Sequence, residues 1–310
     1  MKIVFMGTPK AAASSLERLI ADGHEIAAVY TQPDRPAGRG NKIAFSPVKE
    51  LAAAAGLTVL QPTKVKTPEA AQLFASHNAD VAVVVAYGRI LPDPFLYAFS
   101  HGAINVHFSL LPKYRGAAPV NWAIVNGETE TGVTTMKMDA GLDTGAVLLQ
   151  SKLPIPTDMN AIDLMDALAD VGAELLSETL LRLSELTPQP QNGADASYAP
   201  ILKKDDGLIN WALEARSIKD RVRGFQPFPT SFTFYGGKRL TVWTANVGET
   251  DGQNEPGTIV HAEADLLDVA CGGGSVLEII ELQLEGKRRM SARDFINGMK
   301  PVVGTSLGDL

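Results

Sequence analysis

The stretch Asp80-Val-Ala-Val-Val-Val-Ala86 is apolar throughout once past its aspartate, with no alternation. A strand with one face in water alternates polar and apolar residues. A strand covered on both faces does not, and unbroken valine-rich runs mark the centre of a parallel sheet. Outward from this run, strand-like segments recur at residues 2–6, 25–31, 57–60 and 103–107. Helical patterns lie between several of them, one running from Ala11 to about Ala21. Such alternation predicts a parallel sheet covered by helices, with any site outside the carboxyl ends of the strands. The expected fold class is α/β, a Rossmann-like, doubly wound and mostly parallel sheet in an N-terminal domain.

Further on the pattern changes. A long helix is expected over Ala161 to Leu186. The segment Thr187-Pro-Gln-Pro-Gln-Asn-Gly-Ala-Asp-Ala196 is rich in proline and polar residues and reads as a linker. After a helix near 214–224, short strand-like pieces follow at 231–235, 239–247, 257–262, 266–271 and 275–282, separated by turn residues. They predict a small β-barrel or sandwich as a C-terminal domain, taken here as an OB-like barrel. The expected division is 1–186 for the catalytic domain, 187–205 for the linker and 206–310 for the β-domain.

Composition narrows the classes. A chain of 310 residues with 45% hydrophobic and 20% charged residues suits two soluble domains. No apolar run reaches the roughly 18–20 residues needed to cross a bilayer, and residues 1–7 enter a strand-like segment with no secretory pattern. No membrane association is expected. The single cysteine, Cys271, excludes an internal disulfide, and a cytoplasmic location is expected. The five histidines fall into no metal-binding spacing, so no metal is expected. A net charge of −7 argues against general coating of nucleic acid while leaving room for a local basic patch.

The chemistry concentrates in Asn105-Val-His-Phe-Ser-Leu-Leu-Pro-Lys-Tyr-Arg-Gly-Ala-Ala-Pro119. In an extended chain, residues i and i+2 point to one side, so Asn105 and His107 would share a cleft at a strand's end. An amide donor beside an imidazole suits an acyl carbonyl whose oxygen becomes negative during attack. No serine or cysteine nucleophile accompanies the pair, and Ser109 to Pro112 with Lys113-Tyr-Arg-Gly-Ala117 is expected to form a loop with exposed polar groups and backbone amides. Met138-Asp-Ala-Gly-Leu-Asp-Thr-Gly145 is a glycine-punctuated loop between strand-like segments at 131–138 and 146–150, and it offers Asp143 as a partner for the imidazole. Gly7-Thr-Pro9 follows the first strand but is not a dinucleotide fingerprint, so Gly7 is read as a tight strand-to-helix turn.

Residues 105–119 together with 138–145 resemble the active-site motifs of the tetrahydrofolate-dependent formyltransferases, and the resemblance spans nearly the whole chain. It implies that Asn105, His107 and Asp143 are catalytic. It implies folate binding by Ser109, Leu110, Leu111 and Pro112, by Asp139, and by Tyr87, Gly88, Ile90 and Leu91 along a pterin pocket. The donor it implies is 10-formyltetrahydrofolate, with no metal. The acceptor is an amine, and the catalytic trio alone does not choose among initiator methionyl-tRNA, an amino-sugar nucleotide and glycinamide ribonucleotide.

Gln32-Pro-Asp-Arg-Pro-Ala-Gly-Arg-Gly-Asn-Lys42 bears on that choice. Arg35, Arg39, Lys42 and Lys49 follow one another with no acidic residue from Arg35 to Lys49, and the part before Asn41 is too rich in glycine and proline for regular structure. It matches the inserted loop with which the tRNA-acting members engage the acceptor end. Arg39 is the first choice for a contact, since guanidinium suits phosphate, followed by Lys42 and Arg35. The resemblance also implies that the β-domain, over which basic residues are scattered, holds the tRNA acceptor arm. A monomer with initiator methionyl-tRNA and folate as partners is the expectation. Trp211, Trp243 and Phe225-Gln-Pro-Phe-Pro229 are expected to pack the small core, and Cys271 to be a buried small hydrophobe.

Overall fold

The computed structural model describes residues 1–37, 42–249 and 254–308. In chain order the elements are β1 (Lys2–Gly7), α1 (Lys10–Ala21), β2 (Glu25–Tyr30), β3 (Arg35–Ala37), β4 (Lys42–Ala44), α2 (Pro47–Ala54), β5 (Val59–Leu60), α3 (Pro68–Ala75) and β6 (Val81–Val85). Then come α4 (Asp93–Leu96), β7 (Ala103–His107), β8 (Arg115–Gly116), α5 (Pro119–Val125), β9 (Glu130–Lys137), β10 (Val147–Pro154), α6 (Ala161–Leu181) and β11 (Tyr198–Ala199). The remainder is α7 (Ala215–Gly224), β12 (Ser231–Tyr235), β13 (Lys238–Val247), β14 (Ile259–Glu263), β15 (Leu266–Ala270), β16 (Val276–Leu284), β17 (Met290–Ser291) and α8 (Ala292–Met299).

The chain forms two compact units. One comprises Met1–Pro119, Glu130–Pro154 and Met165–Ala199, and the other Val120–Thr129, Ile155–Leu164 and Pro200–Leu310. The first unit carries a seven-stranded sheet in the order β10-β9-β7-β6-β1-β2-β5. Strands β5, β2, β1, β6 and β7 are parallel, and β9 and β10 run antiparallel at one edge. The order reverses between β1 and β6, which opens a crevice at their carboxyl ends. Every residue of β6 is buried, in keeping with its unbroken valines. Gly7 ends β1, where a Cβ would come within 2.9 Å of the Val85 carbonyl and 2.7 Å of Ala12 Cβ. The glycine therefore lets α1 start directly behind the strand.

The helix expected over 161–186 stops at Leu181, and residues 182–186 continue as separate turns. The segment after it is tied into the first unit. Gln189 exchanges two backbone hydrogen bonds with Val147, and β11 pairs in parallel with β8.

The second unit has an antiparallel sheet in the order β12-β13-β16-β15-β14, with β17 beside β16. Its core includes Trp211, Ile218, Val222, Leu240, Leu277 and Phe295. Helix α8 has no counterpart in the sequence reading. Ser291 caps it by accepting from the Asp294 amide, and Ala292, Phe295 and Ile296 are buried at i, i+3 and i+4. Cys271 is buried there, and burial pushes its thiol up to about 12. Two residues correct the expectation of core packing: Phe228 is exposed, and Trp243 is partly exposed, donates its indole N–H to Gln283 Oε1 and lies under the Arg289 guanidinium.

Asp220 and Arg223 form a buried ion pair on α7, with Arg223 Nε 2.8 Å from Asp220 Oδ1. Arg223 Nη1 also donates to the Met159 carbonyl at 2.9 Å. Removing one member of such a pair strands the other charge away from water. Asp220→Ala should therefore cost about 3–5 kcal/mol, read as a lower urea midpoint; a loss near zero would mean that Arg223 reaches solvent.

Candidate active site

The site is built at the carboxyl end of β7 in the first unit. Strand β7 lies between β6 and β9, with Asn105 opposite Val84 on one side and Met136 on the other, and His107 opposite Thr134. Both Asn105 and His107 are thereby fixed by sheet register and face the same way, as the i, i+2 spacing requires.

Asn105 donates one amide hydrogen from Nδ2 to the Val84 carbonyl at 3.2 Å. That contact fixes which end of the carboxamide is nitrogen. Its Oδ1 is buried with no partner. An unpaired buried acceptor costs about 1–3 kcal/mol unless a ligand supplies a donor. The second Nδ2 hydrogen is also uncommitted, so Asn105 can offer one donor and one acceptor to a bound molecule.

His107 is buried, and its Nε2 lies 2.9 Å from the Tyr114 carbonyl oxygen. A carbonyl only accepts, so Nε2 carries a hydrogen and Nδ1 is the basic nitrogen of the neutral ring. Nδ1 stands 3.7 Å from Asp143 Oδ2. The nearest bond of that carboxylate is to the Gly116 amide, which donates to the same oxygen at 2.8 Å. A proton can thus be taken up at Nδ1 with the opposite charge already in place.

Three non-glycine residues around this end of the sheet have left-handed backbone: Ala86 at φ 45°, Tyr114 at φ 60° and Asp143 at φ 53°. Each costs roughly 1–2 kcal/mol, least for aspartate, and must be held by its surroundings. For Asp143 the holding groups are visible. Gly145 packs so closely that a Cβ would lie 1.7 Å from the Lys137 carbonyl oxygen. Asp139 Oδ1 accepts from the Gly141 amide at 3.0 Å and from Thr144 Oγ1 at 2.7 Å. Gln191 donates to the carbonyls of Asp143 and Gly145 at 2.9 and 2.7 Å.

The other expected site residues fall into two groups. Leu110, Pro112, Gly88 and Ile90 are accessible to different degrees, Ile90 most of all. Ser109, Leu111, Tyr87 and Leu91 are buried. Ser109 Oγ donates to the Lys113 carbonyl at 2.6 Å, while Thr134 Oγ1 donates to the Ser109 carbonyl at 2.7 Å and accepts from the Leu111 amide at 3.1 Å. Gln150 adds a bond to the Leu111 carbonyl. These contacts shape the loop, which includes a cis Leu111–Pro112 bond. The Tyr87 hydroxyl is buried without a partner, and burial raises its pKa, so it remains a proton donor. The Tyr87 carbonyl accepts from Gln32 Nε2 at 2.9 Å, and Arg89 donates back to Gln32 Oε1 and to the Thr63 carbonyl.

The sequence reading treated Lys113 to Ala117 as exposed polar groups. Tyr114 and Arg115 are instead buried. Thr134, Gln150 and Gln191 were not singled out at all. No local signal marks them, since each acts on a loop distant in the chain.

Of the basic loop, Arg39 lies outside the described residues. Lys42 begins β4, with its side chain outside them, and Arg35 is exposed in β3. Lys49 is committed to Asp34 and Gln61 and lies over the Phe45 ring. Its charge is therefore partly cancelled. Asp34 is in turn held below its usual carboxylate range by the hydrogen bonds from Lys49 and Gln61.

Among the described residues, no three His, Cys, Asp or Glu side chains are grouped to hold a metal ion. No described helix is long and apolar enough to cross a membrane.

Comparison with known proteins gives the site its context. A formyl transferase family model matches residues 1–180, and a model for the C-terminal domain of formyl transferases matches residues 201–300. A methionyl-tRNA formyltransferase of Geotalea uraniireducens (strain Rf4) is 50% identical over 99% of this chain and 98% of its own length. One from Caldanaerobacter subterraneus subsp. tengcongensis is 50% identical over 99% of this chain and 100% of its own. Among solved structures, an N-formyltransferase from Helicobacter canadensis, determined with folinic acid and dTDP-3-aminofucose, superposes with a TM-score of 0.68 at 21% identity. It covers 90% of this chain and 98% of that one. HypX from Aquifex aeolicus in complex with tetrahydrofolic acid reaches 0.65 at 14% identity, over 98% of this chain and 48% of that one. At such identities the two structures speak for the fold alone. The full-length matches go further: this chain belongs to the formyl transferase family and stands with its methionyl-tRNA formyltransferases.

Proposed function

We propose that this chain transfers the formyl group of 10-formyltetrahydrofolate to the α-amino group of initiator methionyl-tRNA. The observation that carries this reading is the basic Nδ1 of His107 facing Asp143, beside an Asn105 whose carboxamide oxygen is buried and unpaired. Half of the residues are shared along the whole chain with methionyl-tRNA formyltransferases, which supports the choice of acceptor.

In the reaction a bond forms between the α-nitrogen and the formyl carbon, and the bond from that carbon to N10 breaks. One proton leaves the α-nitrogen and one arrives on N10. A free α-amino group titrates near pH ~8, so modest help suffices to present it neutral. The free Nδ2 hydrogen of Asn105 donates to the formyl oxygen as it becomes negative, and the unpaired Oδ1 accepts an N–H of the attacking amine. His107 takes up the amine proton on Nδ1 with Asp143 balancing its charge, and returns it towards N10. Because the other ring nitrogen is occupied by Tyr114, the neutral ring is an acceptor here, and it donates only after protonation.

The pterin of the donor is read as lying along Tyr87, Gly88, Ile90 and Leu91, with the 109–112 loop beside it and Asp139 bracing the opposite loop. The antiparallel sheet of the second unit is read as an OB-like barrel that holds the acceptor arm. Arg39 is read as a contact to the acceptor end, with Arg35 and Lys42 as further contacts. The protein is read as a cytoplasmic monomer.

Purified protein with 10-formyltetrahydrofolate should formylate charged initiator tRNA in preference to charged elongator tRNA or a UDP-amino sugar. Product from the sugar alone would overturn the acceptor. Asn105→Ala should slow the chemical step by about 10²–10³-fold with little change in folate binding, the cost of one oxyanion donor; near-normal single-turnover rates would remove Asn105 from the chemistry. For His107, nitrogen-15 NMR should find Nε2 protonated and Nδ1 bare in the neutral ring, and the reverse pattern would exclude the proton path above. Arg39→Ala should raise the KM for tRNA and flatten its dependence on salt, since log affinity falls with log salt by about 0.7–0.9 per phosphate contact. An unchanged dependence on tRNA would take the loop out of the reaction.

A further inference from the structure

We propose that Gln191 and Arg115 are positioning residues that set the Asp143 carboxylate against His107, a proposal that rests on the role given to Asp143 above. Gln191 lies outside the motifs that the sequence singled out for chemistry, and Arg115 lies within residues 105–119 but was given no role there. Gln191 belongs to the proline-rich segment after α6, and Arg115 to β8.

The geometry is directional. Arg115 is 6% exposed, and its Nε and Nη2 donate to Gln191 Oε1 at 3.0 and 2.7 Å. A cationic fork on one oxygen determines which end of the carboxamide is oxygen, so Nε2 is aimed the other way. There both its hydrogens are used, on the Asp143 carbonyl at 2.9 Å and the Gly145 carbonyl at 2.7 Å. Those two carbonyls bracket the turn in which Asp143 has φ 53°. The carboxylate itself is anchored by the Gly116 amide, one residue after Arg115. Strand β8 is in turn paired with β11, and the Arg115 amide donates to the Ser197 carbonyl. The same segment, residues 189–199, thus holds the backbone on which Asp143 rides and the amide that fixes its carboxylate.

A buried guanidinium is costly to place and suits a task that a neutral contact would do poorly. At 3.7 Å, the Asp143–His107 distance leaves room for the carboxylate to drift. Gln191 restricts that drift by holding the carbonyls on both sides of the turn, and Arg115 restricts Gln191. The effect on the reaction passes through Asp143 alone, which separates this role from that of a general structural brace.

Two variants test the assignment. Gln191→Met loses the contacts at both ends. Gln191→Glu keeps an oxygen for Arg115, now with a charge opposite to the guanidinium, while losing the donors to the two carbonyls, so it should retain the fold. In both, single-turnover formyl transfer should fall by about 10- to 100-fold, the scale of an ångström of misplacement. The KM for each substrate should stay within about twofold. Asp143→Asn preserves the left-handed backbone and removes the charge. On that background, Gln191→Met should add less than about threefold, because the group it positions is already disabled.

Transfer at the unaltered rate in Gln191→Glu would overturn the proposal while leaving the role of Asp143 intact. So would equal losses on the two backgrounds, or a loss of stability in both variants with unchanged turnover per folded molecule. If Asp143→Asn itself reacts normally, the reading of the site fails, and this inference with it.

Discussion

The hydrogen bond from His107 Nε2 to the Tyr114 carbonyl is the contact on which the chemistry of the site depends. It is buried, and a carbonyl leaves no choice about which partner donates. One ring nitrogen is thereby engaged and the other is left basic, facing a carboxylate. Without it the imidazole could present either nitrogen, and proximity to Asp143 would not define a direction for a proton. The left-handed conformation of Tyr114 belongs to the same arrangement, because the loop that supplies this carbonyl turns back after β7 to reach the ring. Strain of this kind persists where neighbours over-determine it, and Thr134, Gln150 and Ser197 supply those neighbours.

The sheet converts sequence spacing into geometry with little freedom. Asn105 and His107 share a side because β7 is extended, and their depth in the crevice is set by pairing with β6 and β9. Asp143 has no such support. It sits in a loop, and its position comes from hydrogen bonds with groups far along the chain, from Gly116 to Gln191. The proposed catalytic trio therefore joins two residues placed by regular structure to one placed by side-chain scaffolding. A loop residue can be moved more readily than a strand residue, which makes the scaffolding around it as consequential as the carboxylate itself.

How far the molecule could be read beforehand follows the same division. The valine run at 81–85 and the helix–strand alternation announced the parallel sheet, because burial on both faces leaves a compositional mark. The spacing of Asn105 and His107 was legible for the reason given above. The supporting groups were not. Gln191 stands in a segment whose prolines and polar residues read as a tether, and nothing in its neighbours predicts that it meets Asp143. Arg115 looked like an exposed loop cation because buried guanidinium is rare. Trp243 looked like core because indole usually is. Helix α8 was overlooked, although Ser291 and the spacing of Ala292, Phe295 and Ile296 carry the marks of a capped amphipathic turn.

The second unit is assembled from three separated stretches of chain. Asn121 donates to the Gly224 carbonyl at 2.7 Å, and the Trp122 ring meets Phe225 edge to face. Lys219 pairs with Asp158, and Arg223 reaches the Met159 carbonyl. Residues 120–129 and 155–164 are thus lent by the segment that also builds the catalytic sheet. A cut after Ala199 would leave those stretches without the surfaces they pack on and would strip α7 of its neighbours. The boundary at which two sequence modules meet, between residues 180 and 201, is consequently not a seam along which the molecule comes apart. Recombining the C-terminal module with another formyl-transferring core would require exchanging both lent stretches along with it.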